Sequence, residues 1–111
     1  MASKLTKAKE VSEATKKAVL ERQEYRSISG AYLVGKQVEY HHYISRGCEG
    51  IGYEWNIVAI TKEEHRQYHD GTNIKVNGAD YYTSKEFNTL MRNHLILHYL
   101  NWSEDACKYK K

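Results

Sequence analysis

Two histidine pairs constrain this chain more than any other feature. His41 and His42 are adjacent in QVEYHHYI, and His65 and His69 stand four apart in TKEEHRQYH; together they are four of the six histidines in 111 residues. Each pair sits in a segment with its own local preference. Thr61 and Glu64 have the Thr-x-x-Glu spacing of a capping box, so a helix is expected to begin there and to carry His65 and His69 on one face. The run around His41 alternates apolar and polar residues, which predicts a strand over Gln37–Ile44. Neighbouring side chains of a strand point to opposite sides of the pleat, so His41 and His42 should hold different roles. One can face a metal together with His65 and His69 while its neighbour aims at substrate or water. Two imidazoles one helical turn apart form a bidentate arm for a divalent cation. A third from a strand completes a facial set with positions left open for water and a phosphate oxygen.

The remaining segments read as one α+β domain over residues 1–111. Residues 1–11 read as a tail. Ser12 is an N-cap for a helix over Ser12–Tyr25, with Val11, Ala18, Val19 and Arg22 toward the core. GAYLVGKQVEYHHYI suits a hairpin turning at Gly35-Lys36, SRGCEGIGYEW a loop, and NIVAI a short buried strand. NIKVNGADYY holds an Asn-Gly turn and suits a second small hairpin. Thr83 and Glu86 repeat the capping-box spacing ahead of a C-terminal helix over Ser84–Leu100.

The formal net charge is only +3, which permits contact with a polyanion without demanding it. Lysines gather at both ends (Lys4, Lys7, Lys9, Lys16, Lys17, then Lys108, Lys110, Lys111), where they can grip phosphates or simply be solvated. Cys48 and Cys107 are single and distant, so they read as free thiols of a reducing compartment. No run approaches the roughly 18 apolar residues of a membrane span, and the first residues lead into charge rather than a signal sequence. A cytoplasmic protein with no membrane partner is expected.

The window from Glu39 to Gly71 resembles the HNH nuclease motif of the ββα-metal superfamily: a histidine on a first strand, an asparagine after a loop, and a histidine on the following helix. Here those positions are His42, Asn56 and His65. The doubled His41-His42 and the extra His69 are most similar to the bacteriocin (colicin-type) DNases. The flanks resemble small phage-encoded HNH proteins, in which HYISR precedes a glycine-rich loop and an N-I-V strand, and an NW turn follows the last helix, as Asn101-Trp102 does here. The resemblance implies a ββα-metal core over residues 37–71 with flanking helices, the C-terminal one over 84–101, in a metal-dependent endonuclease acting on DNA in a bacterial host cell. It also implies roles. His41, His65 and His69 would hold one divalent ion (Mg, Mn, Ni or Zn), and His42 would be the general base. Asn56 would bond across the loop and fix His42, and Arg46 would clamp the scissile phosphate unless it is only a solvated loop arginine. Whether such a protein works as a monomer or a homodimer is left open by the sequence.

Many small phage HNH proteins carry a zinc ribbon whose four cysteine positions correspond here to Arg26, Ser29, Thr61 and Glu64. No ligand set remains, so no structural zinc is expected. The former ligand positions should still converge, with Arg26 pairing Glu64. A surface ion pair contributes about 0–1 kcal/mol against the roughly 10–16 kcal/mol apparent for structural zinc in finger peptides. Apolar packing from the terminal helices must then hold the fold. The alternative function is an HNH-derived protein that binds DNA or blocks another protein without cutting. His94 and His98 share the i, i+4 spacing but continue the stripe of Phe87, Leu90, Met91 and Leu95, and are expected to be partly buried packing residues. The tyrosines can stack on bases or pack. Glu39 shares a strand face with His41, as an orienting carboxylate or a solvated one.

Overall fold

A two-stranded antiparallel sheet organises the computed structural model, which describes residues 4–76 and 80–109. Strand β1 (Val38–His42) pairs with β2 (Ile57–Thr61) in the register His41↔Val58 and His42↔Ile57. Every residue of β2 is buried. That is why NIVAI is a continuous apolar run: a strand covered on both faces has no solvent side to alternate with. On one face Val58 and Ile60 pack with Ile74 and with Phe87, Met91 and Leu95 of the C-terminal helix Ser84–His98. On the other, Ile57 and Ala59 pack with Leu33 and with Val19 of the helix Glu13–Arg22. Burying each such side chain stabilises by about 1.5–3 kcal/mol, so the two clusters carry the fold.

In chain order the helices are α1 (Lys4–Lys9), α2 (Glu13–Arg22), α3 (Lys62–Asp70) and α4 (Ser84–His98). Both capping boxes form: Thr61 and Glu64 open α3, Thr83 and Glu86 open α4. Gly71 ends α3 at φ 73°, a left-handed conformation that suits glycine. A small antiparallel hairpin of β3 (Ile74–Val76) and β4 (Asp80–Tyr82) joins α3 to α4; its expected Asn77-Gly78 turn lies outside the described residues. No helix among the described residues is long and apolar enough to cross a membrane.

Among the described residues no third strand covers the outer edge of β2. The buried Gln23 side chain does so instead, accepting from Ala59 N and donating to Ala59 O, both at 2.8 Å. Arg22 is half-buried, as expected, and donates to Ile57 O at 2.8 Å, to His94 Nε2 at 2.9 Å and to Tyr99 Oη at 3.0 Å. Two side chains thus satisfy backbone groups that would otherwise be buried without partners.

Several expectations give way to tertiary packing. The hairpin at Gly35-Lys36 does not form. Ser27 N donates to Ala31 O at 2.8 Å and Leu33 N to Tyr25 O at 2.9 Å, so this segment folds back on residues 25–27. The apolar β2 takes β1, because it offers burial on both faces. Helix α2 stops at Arg22, and Glu24 and Tyr25 turn the chain at φ 54° and 60°. Residues Lys4–Lys9, read as tail, form α1. Helix α4 ends at His98 rather than Leu100.

Arg26 does not pair Glu64. It is exposed, 4.3 Å above the Tyr32 ring, and donates to the Tyr32 hydroxyl. Glu64 is buried and accepts from Ser27 Oγ at 2.7 Å, from Ser29 Oγ and from Thr61 N at 2.8 Å. Hydroxyls and a backbone N–H satisfy a buried carboxylate without drawing a guanidinium out of water, whose desolvation is unfavourable. Ser29, Thr61 and Glu64 do converge; Arg26 does not join them.

Candidate functional site

The pairing of β1 with β2 sets His41 on the sheet face that packs toward α3, and His65 and His69 meet it from that helix. Ring centroids are 5.1 Å apart for His41–His65, 5.7 Å for His41–His69 and 4.6 Å for His65–His69. One ring nitrogen from each lies within 4.8 Å of the others, close enough to hold a metal ion together. His65 Nε2 and His69 Nε2 stand 2.9 Å apart. Two nitrogens each about 2.0–2.1 Å from one cation and roughly at right angles to it are about 3 Å apart, so the pair fits.

His41 supplies the other half of the fit. It is 6% exposed, and among the described residues its Nε2 is a buried side-chain atom with no hydrogen-bond partner. Leaving such an atom unpaired costs about 1–3 kcal/mol, which a coordinated cation would recover. Burial first, then the neighbouring imidazoles of His65, His69 and His42, lower its pKa from the ordinary 6.5 to about 3. His41 is therefore neutral near pH 7, the form in which imidazole is a ligand.

Glu39 Oε1 lies 3.3 Å from His65 Nδ1. A carboxylate can only accept, so the proton sits on Nδ1 and Nε2 is left bare toward the cluster. This contact gives Glu39 the orienting place rather than a purely solvated one. Tyr68 sets its ring edge-on against His41 at 5.0 Å and His69 at 5.6 Å.

His42 points to the opposite sheet face, as strand alternation requires, yet it lines the same cleft. That cleft, of about 310 Å³, is bounded by Tyr40, His41, His42, Ser45, Arg46, His65 and His69. His42 Nε2 donates to the backbone oxygen of Lys9 at 2.7 Å. Burial lowers the His42 pKa, and the bond to the Lys9 carbonyl partly offsets that by favouring the protonated ring. Arg46 is exposed, on a single 3-10 turn (Arg46–Cys48) at the rim of the cleft.

Asn56 is fully buried. Its Oδ1 accepts from Ile44 N at 2.8 Å, and its Nδ2 donates to Ile44 O at 3.1 Å and Ile51 O at 2.8 Å. Its own carbonyl accepts from Tyr43 N at 2.8 Å. Asn56 thus ties both ends of the loop together and fixes the chain just after His42 rather than at His42 itself. The loop closes tightly, and a Cβ on Gly50 would meet Ile44 O at 1.6 Å.

The second i, i+4 pair stays apart from this site. His94 is half-buried, accepts from Arg22 Nε at 2.9 Å and is pushed down to about 3 by burial, then by Arg22. His98 is exposed rather than partly buried, with its ring 4.3 Å from that of His94. Cys48 and Cys107 are free thiols, the first exposed and the second buried. Sequence reasoning did not find Tyr40, Ser45, Tyr68 or the Lys9 carbonyl. Tyr68 had a signal in its place beside His69 on α3, whereas a backbone carbonyl has no residue-type signature at all. No protein-family model, no curated protein and no solved structure matches this chain.

Proposed function

We propose that this chain is a metal-dependent endonuclease of the HNH, ββα-metal class that hydrolyses phosphodiester bonds in DNA. The observation that carries the reading is the convergence of His41, His65 and His69 in a cleft that also holds His42. Pure binding gives no reason for three imidazoles to meet beside a fourth. A divalent cation held by His41, His65 and His69 would supply Lewis-acid stabilisation of charge at a phosphate oxygen. His42 takes the proton of the attacking water, a role suited to an imidazole held beside but outside the ligand set. Asn56 keeps the strand end and loop rigid, so that His42 stays aligned. Arg46, at the rim, binds the phosphate of the incoming strand. Contacts of this kind are to the backbone, so sequence preference should be weak and binding salt-dependent. One such site nicks one strand. The protein would act in the cytoplasm of a bacterial cell.

Supercoiled plasmid incubated with wild-type protein and His42→Ala, across EDTA, Mg, Mn, Co, Ni and Zn, tests the proposal. Metal-dependent nicking, at least about 100-fold weaker in the variant, is expected. Intact metal binding with no cutting under any metal would overturn it in favour of a binding protein built on the same scaffold. Equal cutting by both proteins would remove His42 from the role of base.

A further inference from the structure

The geometry points to α1 as part of the site: we infer that the Lys9 carbonyl sets the tautomer of His42 and leaves Nδ1 as the nitrogen that can take a proton. The inference deepens the reading of His42 as the base and rests on it. A carbonyl oxygen has no hydrogen to give, so its 2.7 Å contact with His42 Nε2 requires the proton on that nitrogen. In a neutral imidazole the lone pair is then on Nδ1. The last carbonyls of a helix have no partner within the helix, and Lys9 closes α1. His42 takes one of these open acceptors.

The carbonyl is held in place by a second contact. Gly52 N donates to Ala8 O at 2.7 Å, and Glu10 N closes the turn on Lys7 O at 3.2 Å. Gly52 is buried, and a Cβ there would stand 2.1 Å from Glu10 O and 2.8 Å from Lys9 O. The end of α1 therefore seats on the loop at a residue without a side chain. That loop is also the one Asn56 clamps through Ile44 and Ile51. Lys9 is a positioning residue that acts through its backbone, and its side chain is dispensable to that role.

The test is a long-range ¹H–¹⁵N correlation spectrum of the full-length, ¹⁵N-labelled protein at near-neutral pH in EDTA, which reads each histidine tautomer directly. Wild-type His42 should be a single Nε2–H tautomer, and an Nδ1–H or averaged ring would overturn the inference. Lys9→Ala should leave that tautomer unchanged; its loss would assign the effect to the side chain and overturn the backbone argument. Gly52→Ala should release it to averaging, and a folded variant with the tautomer still fixed would count against the seat. If Gly52→Ala does not fold, the wild-type and Lys9→Ala spectra still decide. Where wild type nicks plasmid, folded Gly52→Ala should lose about 10–100-fold in kcat with little change in KM; a loss confined to KM would overturn the positioning role. Absence of wild-type nicking would sink the nuclease reading alone, because the tautomer is read without activity.

Discussion

Replacing His41 with leucine should separate stability from metal binding. In the cation-free protein the buried Nε2 of His41 has no partner, a penalty of about 1–3 kcal/mol. Leucine is of similar size, brings no polar atom, and sits against the apolar face that includes Val58. What it forfeits is edge-on ring contact, with Tyr68 at 5.0 Å and with His65 and His69 at 5.1 and 5.7 Å. The tyrosine pair is worth about 0.5–1.5 kcal/mol and the imidazole pairs less, because His65 and His69 are partly in water. The balance makes cation-free His41→Leu equal to wild type or up to about 2 kcal/mol more stable. For a domain of this size that corresponds to a Tm between unchanged and roughly 10 °C higher. The response to metal goes the other way. A cation at 100 times its Kd stabilises wild type by about 2.7 kcal/mol, and the variant should lose most of that shift. Thermal unfolding followed by circular dichroism, in EDTA and over a titration of Ni and Zn, measures both effects. A Tm in EDTA well below wild type would mean that His41 is a structural residue. An undiminished metal shift would mean that the ion binds elsewhere. Either result refutes the reasoning.

The same residue sets a pH dependence. Its folded pKa of about 3 lies below the ordinary 6.5, so stability is greatest above pH 6.5, where the ring is neutral in both the folded and unfolded chain. Stability is lost as pH falls toward 3, at up to about 1.4 kcal/mol per pH unit. His94, lowered in the same direction, adds to the slope with a smaller effect, because it is only half-buried. Urea midpoints of cation-free protein between pH 7 and pH 4 should fall steeply for wild type and clearly less so for His41→Leu; equal slopes would remove His41 as their source. Separately, Glu64→Ala should destabilise by about 2–4 kcal/mol, since it strips partners from Ser27, Ser29 and Thr61 N. Arg26→Ala should cost less than about 1 kcal/mol, because the exposed Arg26 side chain meets the exposed Tyr32. Comparable losses in urea denaturation would contradict the assignment of Glu64 to the serines.

How much was legible in advance can be judged residue by residue. Thr61/Glu64 and Thr83/Glu86 announced two helix starts, because a capping box is a contact three residues long that any chain with that spacing can make. His65 and His69 had to share a face once α3 existed, and His41 and His42 had to part once β1 existed. These are consequences of the 3.6 and 2.0 periods. The sequence alone therefore determined the starts of α3 and α4, the buried character of NIVAI and the histidines able to meet. Tertiary structure decided who the partners were. It gave β1 to β2 rather than to residues 31–34, put Gln23 on the open edge of β2, and handed Glu64 to Ser27 and Ser29 instead of Arg26. It also brought the Lys9 carbonyl to His42. Each of these choices matches a buried backbone or polar group to whatever donor or acceptor the packed apolar faces bring within about 3 Å. Such a distance depends on the whole fold and leaves no periodic mark on the chain.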